Sequence, residues 1–396
     1  MRASELARSA HELINDILPT VEANAHRVDE TGQFPLESVQ ALRDSGLFGL
    51  MVPRDYGGID CTVSDVVRVT HRLGGACLST AFIFAMHCQQ VAALIRLADG
   101  DFRRCLLTAV ASGDVYIASI TTEASGSSLF SADQPLSFDS EEGDVTIHRD
   151  APIVTGGAHA DGFLIKMRSG TDSPPNAITW CYASREQLSI EVGVPWRSLG
   201  MRGVENVAIT LDGTITPDQI VAKDEAAHRI SAEVLAPMAH LGWSAAWLGA
   251  AHGAFRQLVQ AIRRNQIPRV TVESELVRHR LARLRMRLES ASSYLYGVLA
   301  EVEACHRSGR SLAHTATQIH LNTLKVLVAE QTYQAANEMI ELVGLRLGYG
   351  RASELPLERL LRDLRSASLN YDDSTLMTLT GGQCLMDTSC DLLGEH

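Results

Sequence analysis

Over roughly the first 115 positions, apolar residues recur every three to four places. Leu13, Ile14, Ile17 and Leu18 share one face, Val39, Leu42 and Leu47 continue the spacing, and Val63 to Leu73 repeat it. That period predicts a helical domain over 1–115. Near residue 116 the texture changes to short β-branched runs: VYIASITTE, DVTIHR, GFLIKMR, AITWCYA, LSIEVG and NVAITLDG, divided by Gly, Ser, Asp and Pro clusters. Such runs predict an antiparallel β domain over 116–226. Helical spacing then returns over 227–396, with long segments at 229–264, 272–307 and 314–345. Within the second, Val277, Leu281, Leu284, Leu288, Ala291, Leu295, Val298 and Val302 alternate steps of four and three, the seam of a bundle helix. The order predicts an α+β multidomain chain: N-terminal helical domain, central antiparallel β domain, C-terminal helical bundle.

Composition narrows the functions open to this chain. Its 396 residues carry 35 basic against 47 acidic side chains, a net charge of −12, so a polyanion would meet repulsion over most of the surface. Nucleic acid is therefore not an expected partner. The basic residues concentrate at 263–287, where Arg278, Arg280, Arg283, Arg285 and Arg287 crowd one helix. They read as a solvated face flanking the seam, or as a dock for an acidic carrier protein. Eight cysteines lie scattered without a CxxC pair or zinc-type spacing, so thiols and no metal are expected. The N-terminus mixes charges every few residues, and no stretch reaches the roughly 18 apolar residues of a membrane helix. A cytoplasmic protein is the expectation.

Five local sequences point to a family. FPLESVQALRDSGLFGLMVPRDYGG (34–58), TTEASGSS (121–128), IVTGGAHAD (153–161), GMRGVENVAITLDG (200–213) and ELVGLRLGYGRASELPLERLLRDLRSA (341–367) occur in that order. Together they resemble the entry segment, flavin loop, flavin strand, β-domain exit and late glycine segment of acyl-CoA dehydrogenases. The second is one residue short and lacks a proline, and Ile153 stands where the family has a tryptophan. The resemblance implies a C-terminal four-helix bundle and FAD held between subunits of a homodimer or homotetramer.

Carried over residue by residue, the resemblance assigns Thr122, Gly126, Ser127 and Thr155 to the flavin ring or thioester. Arg264, in RRNQIPR, is the favoured partner for FAD phosphates, and Gly344 the backbone against the adenosine portion; a guanidinium suits a diphosphate. The family's base is a glutamate shortly after Arg-Asp, and Asp372 is the aligned carboxylate, with Ser374 beyond it assigned to the cofactor. Aspartate is one methylene shorter. Other members carry the base on the first long bundle helix, where this chain has His240. His87 matches a histidine near the family's substrate cavity, or packs the helix.

The leading expectation is a FAD-dependent acyl-thioester dehydrogenase, removing an α-proton and a β-hydride from a CoA- or carrier-protein-bound acyl group, as a tailoring enzyme of secondary metabolism. A second is another flavin reaction on the same fold: monooxygenation, or redox-neutral ring closure. A third is a non-catalytic thioester-binding protein that has lost its base.

Overall fold

Ser9 opens the first helix with a capping box, its hydroxyl accepting from the Glu12 amide while the Glu12 carboxylate accepts from the Ser9 amide. In the computed structural model, which describes residues 9–124, 126–138, 143–268, 270–351, 353–390 and 392, this helix is α1 (Ala10–Thr31). It is followed by α2 (Leu36–Asp44), α3 (Val63–Ala76), α4 (Leu78–Leu94) and α5 (Asp101–Ala111). Helix α4 is buried nearly all round: sixteen of its seventeen residues are enclosed by neighbours, most of them apolar or small, with His87, Gln89 and Gln90 the larger polar ones. It becomes the central post of the molecule.

The β part runs β1 (Ile117–Ile120), β2 (Thr122–Glu123), β3 (Gly126–Ser127), β4 (Ser137–Phe138), β5 (Val145–Thr155), β6 (Gly162–Arg168), β7 (Ile178–Ser184), β8 (Leu188–Val192), β9 (Asn206–Ile215) and β10 (Ile220–Lys223). One sheet is ordered β1-β6-β7-β10, the other β4-β5-β9-β8, and β2 and β3 form a small ribbon. The antiparallel expectation holds with one exception: β1 pairs with β6 in parallel, Ile117 opposite Gly162. Strand β5 alternates buried and exposed residues from Val145 to Asp150, whereas β6 and β7 are buried on both faces because helices cover the first sheet.

Helix α6 (Glu225–Ile230) runs through one π-helical turn, Ser231–Leu235, into α7 (Ala236–Arg263); α8 (Glu275–Ser308), α9 (Thr315–Val343), α10 (Leu357–Arg365) and α11 (Asp373–Cys384) complete the chain. The α8 seam is inward as its spacing predicts, with Val277, Leu284, Leu288, Ala291, Leu295, Val298 and Val302 buried. The arginines beside it pair locally: Arg283 and Arg287 with Glu338 of α9, and Arg285 with Glu289. Helix α3 lies against α7 at the closest range glycine allows, since a Cβ on Gly249 would sit 2.0 Å from the His71 carbonyl oxygen. Buried apolar residues from all three parts form one continuous core. No described helix is long and apolar enough to cross a membrane.

Candidate active site

A cleft of about 410 Å³ opens where the β part meets α4, α7 and the segment 362–371. A larger depression, about 880 Å³, lies over α1 and α3 and contains none of the residues expected to do chemistry.

The β wall of the cleft is built by hydroxyl and amide side chains on strand ends. Thr122 Oγ1 donates to the Ile153 carbonyl at 2.8 Å, joining the 121–128 loop to the end of β5. Thr155 Oγ1 donates to Asn206 Oδ1, also at 2.8 Å, joining β5 to the start of β9. Both threonines, with Ser119, Ser128, Ile153 and Asn206, line the cleft. Behind them a buried charge cluster holds the loop. Arg149 donates to Glu123 Oε2 at 2.8 Å and to the Thr122 carbonyl at 2.7 Å, and Lys166 bonds the Ser128 carbonyl and faces Glu123. Burial pulls the Lys166 ammonium down to about 8 and pushes the Glu123 carboxyl upward.

The helical wall is aromatic. Trp243 stacks parallel to Phe82 at 5.9 Å, and His240 lies 6.3 Å from Trp243 and edge-on to Tyr371 at 5.9 Å. The Nε1 donor of Trp243 is buried without a partner among the described residues. Gln89, on α4, donates to the Leu235 carbonyl at 2.7 Å, satisfying a group at the π-helical turn, and Gln90 donates to Gln89.

His240 is fully enclosed, and its Nδ1 lies 3.1 Å from the Leu321 carbonyl of α9. A carbonyl only accepts, so Nδ1 carries the proton and the neutral ring keeps Nε2 as an acceptor. Burial, reinforced by the Lys325 charge, pushes the imidazolium down to about 4, so the ring is neutral near pH 7.

The residues singled out from the sequence divide between this cleft and other surfaces. Thr122, Thr155 and His240 line it. Gly126 is exposed with φ +133° and open space where a Cβ would stand. The Ser127 backbone pairs with Thr122, and its side chain lies outside the described part of the structure. Asp372 does not line the cleft: it is exposed and caps α11, accepting from the Thr375 amide at 3.0 Å and its hydroxyl at 3.1 Å. That turn spends the side chain on a helix end, outside the cleft where the expected base would act. Ser374, in the first turn of α11, is exposed as well. Arg264 ends α7 on a separate surface beside Gln266 and Leu347, and Gly344 ends α9 with φ +80°. His87 is packed away from the cleft, its Nε2 3.1 Å from the Phe48 carbonyl and its Nδ1 accepting from the Ile117 amide at 3.2 Å. Both ring nitrogens are therefore engaged, and its role is structural.

Among the lining residues given no role from the sequence are Asn206, Trp243 and Tyr371. Asn206 lies in a motif that was recognised, and its amide among the hydroxyls of the β wall was the available signal. Among the described residues, no Asp or Glu lines the cleft.

Residues 4–114 match the description "Acyl-CoA dehydrogenase, N-terminal domain" and residues 237–370 match "Acyl-CoA dehydrogenase, C-terminal domain". The chain belongs to the acyl-CoA dehydrogenase family. The 3-(aryl)acrylate reductase of Clostridium sporogenes is 22% identical, over 90% of this chain and 93% of that protein. Among solved structures, FMN-bound TdsC from Paenibacillus has a TM-score of 0.84 at 17% identity, covering 97% of this chain and 99% of that one. KijD3 in complex with FMN and an amino-keto sugar nucleotide has a TM-score of 0.82 at 22% identity, covering 97% and 95%. Family membership makes this protein a flavin-dependent oxidoreductase.

The cleft suits a flavin. Hydroxyl and amide groups edge one wall, Ile153 and the Phe82–Trp243 pair offer apolar surfaces, and no lining carboxylate opposes the negative charge a flavin ring gains on reduction.

Proposed function

We propose that this family member is a flavin-dependent monooxygenase acting in the cleft between the β wall and α7, in preference to an α,β-desaturase. The observation that carries the reading is the missing carboxylate in the cleft lining. Desaturation needs a base that takes an α-proton beside the acyl chain. A carboxylate becomes neutral in doing so, which burial favours. His240 would instead become a cation, in a buried site beside the Lys325 ammonium. The cost falls on the wrong side of the reaction.

Oxygenation makes a different demand on the same residues. A bound reduced flavin supplies two electrons that split molecular oxygen, one atom going to the substrate and the other leaving as water. The chain's task is to hold a nucleophilic substrate, shield the site and accept a hydrogen bond from a substrate hydroxyl or amine. His240 Nε2 serves as that acceptor, Trp243 Nε1 as a donor, and Thr122, Thr155 and Asn206 hold the flavin edge. Monooxygenation is compatible with this architecture, since TdsC is a dibenzothiophene monooxygenase. In this reading Arg264 and Gly344 serve the diphosphate and adenosine portion of the FAD of a second copy of the chain, and an acyl-CoA or carrier-protein thioester is not required.

The test is direct. The flavin-loaded protein, without oxygen, is mixed with a panel of saturated acyl-CoA thioesters; no bleaching of the flavin is expected. With reduced flavin, oxygen and a panel of phenols and amines, oxygen uptake and products one oxygen atom heavier are expected. Bleaching by an acyl thioester would replace this reading with desaturation.

A further inference from the structure

Lys325, on α9, is completely enclosed, yet it carries an ammonium group. Its Nζ lies 2.5 Å from Asp373 Oδ1, 3.2 Å from the Tyr371 carbonyl and 5.8 Å from the centre of the Trp247 ring. It stands one helical turn beyond Leu321, the residue whose carbonyl takes the His240 proton. Tyr371 in turn sets its ring edge against His240. The histidine and the lysine are thus joined twice, through adjacent turns of α9 and through the two ends of Tyr371. Tyr371 itself has φ +52°, a conformation that a side chain-bearing residue holds only when its surroundings fix it.

We propose that Lys325 is a positioning residue of the cleft: it clamps the Tyr371–Asp373 segment over His240 and holds that imidazole uncharged as a hydrogen-bond acceptor. The inference deepens the monooxygenase reading, on which the purpose of the acceptor rests. The groups around His240 are few. Helix α9 presents Lys325, the C-terminal segment presents Tyr371 with Asp372 and Asp373 near the lysine, α10 presents Arg362 and Arg365 in the cleft lining, and α4 presents only the neutral Gln89 and Gln90. Arg362 is committed to Asp29 and Glu358. No lining carboxylate favours the protonated ring, and the Lys325 charge opposes it through a buried medium where such repulsion is weakly screened.

Lys325→Gln keeps a donor for the Tyr371 carbonyl and removes the charge. In flavin-loaded protein with isotope-labelled histidine, the His240 resonance, identified by its loss in His240→Gln, is expected to remain that of a neutral ring down to about pH 5. In Lys325→Gln its midpoint rises by at least one pH unit, and Lys325→Arg returns it. Should the single variant fail to fold, Lys325→Gln with Asp373→Asn removes both charges of the pair, and a smaller rise of the His240 midpoint in the same direction is expected. An unmoved His240 midpoint in the folded variant would overturn the proposal. Oxygenation by Lys325→Gln is expected to fall about twofold or more between pH 7 and pH 5, with the unmodified protein nearly constant. Undiminished oxygenation by His240→Leu, which has no acceptor, would sink the acceptor role and leave the resonance result standing, so the two failures are told apart.

Discussion

Arg149 and Glu123 meet at 2.8 Å directly behind the flavin loop, both almost wholly buried. The same guanidinium holds the Thr122 carbonyl, so the position of the loop depends on a charge pair that water does not reach. Removing one partner leaves the other charged and enclosed. Arg149→Met is expected to lose about 3–5 kcal/mol of stability, read by urea denaturation, and to release flavin on gel filtration. A variant with the original denaturation midpoint and full flavin would show that the loop is held by other contacts.

Thr155 offers a smaller change at the same wall. Thr155→Val removes the hydroxyl that donates to Asn206 while keeping the β-branched shape. Flavin affinity should fall about tenfold, equivalent to about 1.4 kcal/mol, with little change in melting temperature. Fluorescence titration of the flavin-free protein measures it, and equal affinity would remove Thr155 from the site.

Two enclosed histidines make the fold sensitive to acid. Burial pushes His71 down to about 4, helped by His252 and Arg256, and His240 down to about 4. Their folded values lie below the ordinary 6.5, so the unfolded chain binds more protons between pH 6.5 and pH 4. The stability they contribute is complete above pH 6.5 and is lost as pH falls toward 4. The loss is on the order of 3 kcal/mol for each. Urea unfolding at pH 7, 5.5 and 4.5 measures the decline, and His71→Gln with His240→Gln should make it shallower; an equally steep decline assigns it to other groups.

The α3–α7 contact leaves no room for a methyl group. A Cβ on Gly249 would overlap the His71 carbonyl, and both belong to helix backbone that cannot rotate away. The shift would also disturb the 2.9 Å bond between His71 Nε2 and His252 Nδ1. Gly249→Ala is expected to cost about 3 kcal/mol and lower the melting temperature by about 4 °C. Calorimetry checks it, and an unchanged melting temperature would mean the helices part without cost.

The part of the site that was legible lies where function rests on a local motif. TTEASGSS and IVTGGAHAD marked Thr122 and Thr155, both in the cleft lining. His240 was reached from the resemblance, by counting along the helix where other family members carry their base. Asp372 shows where spacing stops. Its place after Arg-Asp suggested a base, but Thr375 three residues later supplies an amide and a hydroxyl, and the carboxylate turns to the helix end. That competition is itself local and was written in the Asp-x-x-Thr pattern.

Periodicity and order of texture in the sequence determined three structural parts, their helical or sheet character and the buried seam of α8, and the resemblance of five motifs in series pointed to the family. Each is set by side chains a few residues apart, or by motifs read in series. The tertiary structure alone decided that, among the described residues, no carboxylate lines the cleft and the Trp243 donor has no partner, and that Lys325 sits enclosed near His240. Burial and electrostatic neighbourhood depend on residues brought together from Gln89, His240, Lys325 and Tyr371, far apart along the chain. Their meeting is governed by how helices pack, and a linear pattern carries no term for that.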